Sequence, residues 1–436
     1  MSHSRRNRRR HAFVSLVAGL SILTLGACTA AGEEDPAPTT GVEGDIIALS
    51  GANPDALGGD LVIPVGLDLA LSGSGAYYGE VMANAARLAA AQIKAAGGPE
   101  FQLIIKDHKS GDPQAGVQTT REFGQEGVKM ALYSYIGVLG SALQGIEEYQ
   151  ILSLDGGGGT QEFAKKMPYF YGTRALTPND TYGGTAQYID AAFPDVDSVT
   201  LVIGDTGAEN VADSVAKAEA VFDDYDIAVG AVEVVPYGGT DFASAISKIV
   251  ASDTDMVLSV QFGTDTGYFL KQLREAGSDL QVIGVDFIPD VVDIAGSAAD
   301  GYIMSLDYFD AENTTNDWAQ YMVDTAAEAY PDAAAPDYYF ANYYQDMFTL
   351  WQVVQRVVAE GGDVNDSETL LAAFESDLTF PSVYGGEPGD AYGTQTIDAV
   401  SHSLAERQMY INVYDNGTIT RVATYGVGGT DFALVE

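Results

Sequence analysis

Short apolar runs alternate with amphipathic stretches along the chain after residue 60, and this alternation predicts strands and helices in turn. In the first block, strands are predicted at residues 61–71, 101–106, 130–135 and 151–154, and helices at 79–96, 112–123 and 141–148. Asp112 and Pro113 are the residue types favoured at the N-cap and the first turn of a helix. Repetition of strand and helix predicts a parallel sheet covered on both faces.

A second block repeats this pattern. Strands are predicted at residues 199–203, 228–235, 256–260 and 281–285, and helices at 181–193, 210–222, 240–250 and 266–276. The remaining sequence is less regular, with predicted helices at 317–328 and 338–359 and strands at 409–414 and 419–423. Asn416-Gly417, between the last two strands, is typical of a two-residue hairpin turn. The chain is therefore predicted to contain two similar α/β halves and a closing hairpin.

The N-terminal residues have the layout of a cleaved export signal. Five arginines between residues 5 and 10 precede an apolar run at residues 13–25, which ends in Leu25-Gly26-Ala27-Cys28. The run is shorter than the roughly 20 residues that span a membrane comfortably, so a signal anchor is the weaker interpretation. The tetrapeptide resembles a bacterial lipobox, whose cysteine becomes the lipidated first residue of the mature protein. The alternative is an ordinary signal peptide with a chance cysteine, and both Sec and twin-arginine export remain open.

Residues 28–60 are rich in Gly, Ala, Pro, Thr and acidic residues, which is typical of a flexible tether. We therefore expect a signal peptide at residues 1–27, a tether at residues 28–60 and a folded part that begins near Leu61.

Composition and charge exclude several classes of protein. The chain has 436 residues, of which 46% are hydrophobic, and this fits a globular protein of two or three domains. The formal net charge is −41, and removal of residues 1–27, which takes away five arginines and no acid, makes it −46. Because such a surface repels phosphate backbones, no nucleic-acid partner is expected.

The sequence offers little material for catalysis or metal binding. Cys28 is the only cysteine, so no intramolecular disulfide and no cysteine-based zinc site can form. After the signal is removed, His108 and His402 remain, and neither has a partner at ligand spacing. Nucleophile-elbow, Walker A and metalloprotease motifs do not occur. We therefore expect no enzyme activity, no metal and no cofactor. The glycines of the loop at residues 155–160 are either a plain turn or a place where backbone N–H groups approach an anionic ligand.

Several segments, taken in order, resemble the branched-chain amino-acid-binding type of ABC-transporter substrate-binding protein. These are Val65-Gly66-Leu67, LSGSGAYYG at residues 71–79, KDHKSGDPQAGVQTTREF at residues 106–123, YIGVLGSAL at residues 135–143, and the acidic residue after Ile283-Gly284-Val285. The resemblance covers residues 61 to about 425. It implies an α/β fold of the type I periplasmic-binding-protein architecture, with two doubly wound lobes, parallel central sheets and three inter-lobe crossings.

The resemblance also implies domain boundaries. The crossings are expected near Arg174, Leu306 and Ser382. The first lobe would then comprise residues 61–174 and 307–381, and the second residues 175–306 and 382–436, which include the hairpin.

Seven ligand-binding residues follow from the resemblance. Ser141 would open a helix whose N-terminus holds a carboxylate, and Asp286 would pair with an ammonium group. Tyr78 and Phe262 would pack against the ligand. Gly157, Gly158 and Thr160 lie in the loop where relatives present small and hydroxyl residues. A plain N-cap at Ser141 and ordinary lobe packing at Tyr78 and Phe262 are the alternatives.

These observations predict a monomeric extracytoplasmic solute-binding protein, attached through Cys28 and a lipid to the outer face of the cell membrane. It would capture a small amino acid, branched-chain or a related amine or amide, and deliver it to an ABC permease and its ATPase. A ligand sensor of the same fold that feeds a signalling partner is the alternative, and an exported hydrolase is a third, weaker one.

Overall fold

The computed structural model describes residues 38, 40–42, 44–134, 136–158, 167–175 and 178–435. The predicted signal peptide, Cys28 and Thr160 lie outside these residues. The strands, in chain order, are β1 (Val62–Leu69), β2 (Glu100–Asp107), β3 (Met130–Tyr133), β4 (Leu152–Asp155), β5 (Phe170–Gly172), β6 (Ser198–Gly204), β7 (Ala228–Val235), β8 (Met256–Val260), β9 (Gln281–Gly284), β10 (Tyr302–Leu306), β11 (Thr379–Ser382), β12 (Gly393–Thr396), β13 (Gln408–Asp415), β14 (Thr418–Gly426) and β15 (Ala433–Leu434).

The helices surround the sheets formed by these strands. In chain order they are α1 (Ile46–Leu49), α2 (Ala76–Ala95), α3 (Pro113–Gln125), α4 (Ile136–Tyr149), α5 (Tyr182–Ala192), α6 (Ala208–Asp223), α7 (Ala243–Ala251), α8 (Thr264–Glu275), α9 (Pro289–Ala295), α10 (Asp317–Ala329), α11 (Tyr338–Ala359) and α12 (Ser367–Glu375). In the described part of the chain, no helix combines the length and the apolar content that crossing a bilayer requires.

Two sheets form the centres of two lobes. The first sheet has the strand order β2-β1-β3-β4-β5, and its strands are all parallel. The second has the order β15-β14-β13-β10-β9-β8-β6-β7, in which β6 to β10 run parallel and β13 to β15 are antiparallel additions. The predicted α/β class with two parallel central sheets is confirmed.

The chain passes between the lobes three times. The first passage lies between β5 and α5, and the second lies between β10 and α10. The third falls between β12 and β13, because β11 and β12 pair only with each other and the second sheet resumes at Gln408. Ser382 itself bonds to Gln345 of α11 at 2.9 Å. The expected crossing near Ser382 was therefore placed too early, since the irregular segment that follows it stays with the first lobe.

Local sequence signals account for several element ends. Asp112 caps α3 by accepting hydrogen bonds from the N–H groups of Gln114 and Ala115, and Pro113 occupies the first turn, as predicted. At the β13–β14 hairpin, Asn416 and Gly417 have φ values of 47° and 84°. Both central residues of a type I′ turn need positive φ, which explains why Asn-Gly marks this turn in the sequence.

Residues 45–57, which precede the predicted start at Leu61, belong to the folded structure. Asp45 caps α1, Ile46 is buried, and the Ser50 carbonyl accepts a hydrogen bond from the Gln352 side chain of α11 at 2.9 Å. The indole Nε1 of Trp351 donates to the Leu57 carbonyl at 2.9 Å. The predicted tether to residue 60 is therefore wrong from Ile46 onward. Because residues 46–60 contain many small and turn-forming residues, the sequence did not indicate that this segment contacts α11.

The core of the first lobe is built around α11, which packs against α2 and carries buried residues along nearly its whole length. Trp318 of α10 and Trp351 of α11 are fully buried and both contact the ring of Phe348, at ring-centroid distances of 5.1 and 6.0 Å. These are the only two tryptophans of the chain.

The backbone of α2 at Gly79 lies very close to the backbone at Ala70, just after β1. A Cβ on Gly79 would fall well inside van der Waals contact of the Ala70 carbonyl oxygen, which is backbone and cannot turn away. We expect Gly79→Ala to lower the free energy of unfolding by about 2 kcal/mol or more, through overpacking. Gly230→Ala in β7, where a Cβ would find its nearest atom at 3.9 Å, is the matched control. Thermal unfolding of the two variants measures the difference, and equal midpoints would contradict the packing argument.

Candidate ligand-binding cleft

A cleft lies where strand ends of the two sheets face each other. The first lobe contributes the start of α2, the loop after β4 and the start of α11, and the second lobe contributes the segments after β7, β8 and β9. Ligands of open α/β sheets bind beyond the carboxyl ends of the strands, so this is the expected position. The cavity here has a volume of about 20 Å³, which is room for about one water molecule. Its lining residues are Tyr78, Met82, Gly157, Gly158, Tyr237, Phe262 and Tyr339.

Asp286 is fully buried beside this cavity and accepts hydrogen bonds from both lobes. Its Oδ2 accepts from the Tyr78 hydroxyl at 2.6 Å and from the Gly263 N–H at 2.8 Å. Its Oδ1 accepts from the hydroxyls of Tyr338 at 2.5 Å and Tyr339 at 3.1 Å. The structure thus joins two of the predicted site residues, Tyr78 and Asp286, by a direct hydrogen bond.

The glycine loop after β4 is held by the strand's own last residue. Oδ1 of Asp155 accepts from the N–H groups of Gly157 and Gly158 at 2.9 and 2.7 Å. In this arrangement the two N–H groups point to Asp155 rather than to an anionic ligand. A Cβ on Gly157 would lie 2.6 Å from Cε of Met82, the flexible end of a side chain that would have to shift. Gly157 and Gly158 line the cavity, and their N–H groups are already engaged by Asp155.

Ser141 is not among the residues that line the cavity. Helix α4 begins at Ile136, so Ser141 is in its second turn and cannot be its N-cap. The Ser141 hydroxyl donates to the carbonyl of Pro113, at the start of α3, at 3.2 Å. The prediction that the helix opens at Ser141 is wrong, because α4 already begins at Ile136.

Phe262 follows β8 and lines the cavity next to Tyr237, at a ring-centroid distance of 6.3 Å. His108 and His402 are not among the residues that line the cavity. His108 is buried, accepts the Gly111 N–H at Nδ1 and contacts Ser134 through Nε2, and burial lowers its pKa to about 4. The His402 ring stacks on Tyr171. Among the described residues, no group of three or more His, Cys, Asp or Glu side chains is arranged to hold a metal ion.

Sequence reasoning missed the residues supplied by α11 and by the crossings. Tyr338 and Tyr339 open α11, and the Arg174 guanidinium lies over both rings, at 4.7 and 5.2 Å from their centroids. Arg174 Nε donates to Asp307 at 3.0 Å, and Nη1 donates to the Gly157 carbonyl at 2.9 Å. Tyr338-Tyr339 at the start of a long helix was visible in the sequence, but nothing there connected it with Asp286.

A model of the periplasmic binding protein family matches residues 62–418. The chain belongs to this family. A Leu/Ile/Val-binding protein homologue of Brucella suis is 24% identical over 337 residues, which cover 76% of this chain and 86% of that protein. A leucine-, isoleucine-, valine-, threonine- and alanine-binding protein of Pseudomonas aeruginosa is 24% identical over 250 residues, 56% of this chain and 66% of that protein.

Solved structures share the fold of this periplasmic binding protein. A branched-chain amino acid transporter substrate-binding protein of Streptococcus pneumoniae, in complex with isoleucine, superposes with a TM-score of 0.69 at 19% identity, covering 83% of this chain and 99% of that one. A solute-binding protein of an ABC transporter from R. palustris, in complex with benzoate, gives 0.70 at 21% identity, with coverages of 86% and 98%. The type I fold is thus confirmed, and family membership implies a solute-binding protein of ABC transport with an extracytoplasmic location.

Further buried carboxyl groups of this binding protein surround the cleft. Burial raises the pKa of Asp155 to about 6, that of Asp337 to about 6, that of Asp265 to about 7 and that of Asp346 to about 8. Hydrogen bonds oppose the shift in each case, and for Asp346 the donor is the Thr173 hydroxyl at 2.9 Å. Each group therefore keeps its proton in the folded chain at pH values where the unfolded chain has lost it.

The sign of the resulting pH dependence follows from proton linkage. A carboxyl group with a raised folded pKa contributes stability below its unfolded pKa of about 4, and this contribution is lost as pH rises through the folded pKa. We therefore expect the unfolding midpoint to fall between pH 5 and pH 8. Asp346→Asn keeps an oxygen for Thr173 and should flatten this slope. Asp366→Asn, at the exposed cap of α12, should leave it unchanged. Equal slopes in the wild type and Asp346→Asn would contradict this assignment.

Proposed function

We propose that this protein captures a small amino acid, branched-chain or a related amine or amide, between its two lobes and delivers it to an ABC importer. The observation that carries the proposal is the position of Asp286. This carboxylate follows β9, is fully buried, and lies within hydrogen-bond distance of groups that line an aromatic cavity. A buried carboxylate at this place offers an ammonium group a charge-assisted hydrogen bond.

The aromatic walls fit the apolar part of such a ligand. Tyr78 and Met82 come from the first lobe, and Tyr237 and Phe262 come from the second, so the two lobes would grip opposite sides of the ligand. The names of the relatives point to leucine, isoleucine and valine, whereas one structural neighbour holds benzoate. The negative field of a chain with a net charge of −41 favours an ammonium-bearing solute over an anion.

Entry of the ligand requires the lobes to separate. A cavity of about 20 Å³ holds about one water molecule, whereas ligand pockets measure roughly 300–1,000 Å³. Hinge bending at the three crossings would open the cleft, and closure around the solute would create the shape that the permease recognises.

The first test is thermal unfolding of the chain from Thr29 onward against amino acids, amides, urea and sugars. A ligand at about 100 times its Kd adds about 2.7 kcal/mol of stability. We expect leucine, isoleucine or valine to raise the midpoint, and Asp286→Ala to abolish this rise by removing the ammonium partner. Asp293→Ala, which removes an exposed carboxylate of α9, is the charge-matched control. A response that survives in Asp286→Ala would contradict the ammonium role, and a response to sugars alone would contradict the ligand class.

We further propose that Cys28 carries the lipid that holds the protein at the outer face of the membrane. The proposal rests on the position of the only cysteine at the end of the apolar run in Leu25-Gly26-Ala27-Cys28. Cys28→Ser should move the protein from the membrane fraction to the soluble extracellular fraction, because no thiol is left to acylate. Thr29→Ser is the control. Retention of Cys28→Ser in the membrane fraction would indicate a different anchor.

A further inference from the structure

The bonds to Asp286 connect the two lobes. Asp286 follows β9 of the second sheet, whereas Tyr78 lies on α2 and Tyr338 and Tyr339 lie on α11, two helices that pack together in the first lobe. Three of the four hydrogen bonds to the carboxylate therefore cross from one lobe to the other. We call this group, the carboxylate of Asp286 with the hydroxyls of Tyr78, Tyr338 and Tyr339, the tyrosine clasp.

The clasp leaves Asp286 no acceptor position to spare. An ionised carboxylate has about four lone-pair sites, and four donors occupy them here: the three hydroxyls and the Gly263 N–H. An arriving ammonium group can reach Asp286 only by displacing one of these donors. Gly263 belongs to the same lobe as Asp286, so the exchangeable donors are the tyrosines.

Neighbouring groups hold the tyrosines in this position. Asp337 caps α11 by accepting the Phe340 N–H at 2.9 Å, and it also accepts the Tyr77 hydroxyl at 2.8 Å. The rings of Tyr338 and Tyr339 lie 4.1 Å apart between centroids, beneath the Arg174 guanidinium. The hydroxyls are thus preorganised toward Asp286, which reduces the entropy that the clasp would otherwise lose on closing.

We propose that the tyrosine clasp closes the two lobes without a solute, and that Tyr338 and Tyr339 thereby set the affinity of the cleft by competing with the solute's ammonium group. The second part rests on the proposed function. A solute that offers a neutral donor merely exchanges one hydrogen bond for another. An ammonium group adds its charge to this exchange and so gains free energy, whereas a neutral donor gains none; the clasp therefore favours solutes that carry an ammonium group.

Small-angle X-ray scattering of the exhaustively dialysed protein tests closure without any ligand. The test variant is Tyr338→Phe/Tyr339→Phe, which keeps both rings and removes two inter-lobe bonds. The control is Tyr344→Phe, whose buried hydroxyl donates to Gln92 within the first lobe. Because a hydrogen bond to a charged group changes an equilibrium by about tenfold or more, the double variant should have a larger radius of gyration than the wild type and the control.

Two outcomes of the scattering experiment would overturn the proposal. One is a wild type as extended as the double variant, and the other is a double variant as compact as the wild type. Circular dichroism of each variant verifies folding. Should the double variant fail to fold, Tyr78→Phe removes the same kind of bond from a different helix and is measured in its place.

Isoleucine titration calorimetry tests the competition. Isoleucine should bind Tyr338→Phe/Tyr339→Phe about tenfold or more tightly than the wild type or Tyr344→Phe, because the ammonium group no longer displaces two hydroxyls. Equal or weaker binding would show that the hydroxyls stay on Asp286 in the complex, and would overturn the competition. If isoleucine binds neither the wild type nor any variant, the proposed branched-chain ligand and the competition both fail. The scattering result alone then decides whether the clasp closes the lobes.

Discussion

The arrangement of the cleft depends on the hydrogen bonds that one buried carboxylate accepts. Asp286 has no exposure to solvent, and removing a charge from water is costly unless hydrogen bonds replace those that water made. One backbone N–H and three tyrosine hydroxyls supply them. This requirement determines where α2 and α11 of the first lobe stand relative to the loops after β8 and β9. It also explains why aromatic side chains with a polar tip, rather than aliphatic ones, meet at this point.

A second buried charge links the cleft to the crossings. Arg174 follows β5 at the first crossing and Asp307 follows β10 at the second, and they form an ion pair within 3.0 Å with no solvent exposure. Near the third crossing, the Arg407 guanidinium lies 3.8 Å from the ring centroid of Tyr384, whose hydroxyl donates to the Tyr338 carbonyl. Each crossing therefore carries a buried charged residue close to the start of α11. A hinge motion at the crossings would therefore displace the start of α11, which contributes Tyr339 to the cavity lining.

Much of the fold could be predicted because its signals are local. The strand and helix periods, the Asp112-Pro113 cap and the Asn416-Gly417 turn each depend on neighbouring residues alone. Asp286 and Tyr78 were indicated by family resemblance. The partners of Asp286 were not, since Tyr338 lies 52 positions away and only the packing of α11 brings it close. The segment at residues 46–60 was misread for a related reason: the carbonyls of Ser50 and Leu57 find their hydrogen-bond donors on α11, about 300 positions away.

Both tryptophans, Trp318 and Trp351, are buried in the first lobe in contact with Phe348, and neither lines the cleft cavity. Tyrosines, by contrast, line that cavity and join the two lobes. The fluorescence of the two tryptophans therefore reports on one lobe. Excitation that selects tryptophan follows the folding of the first lobe, whereas tyrosine emission sums the cleft tyrosines with the others among the 25 of the chain.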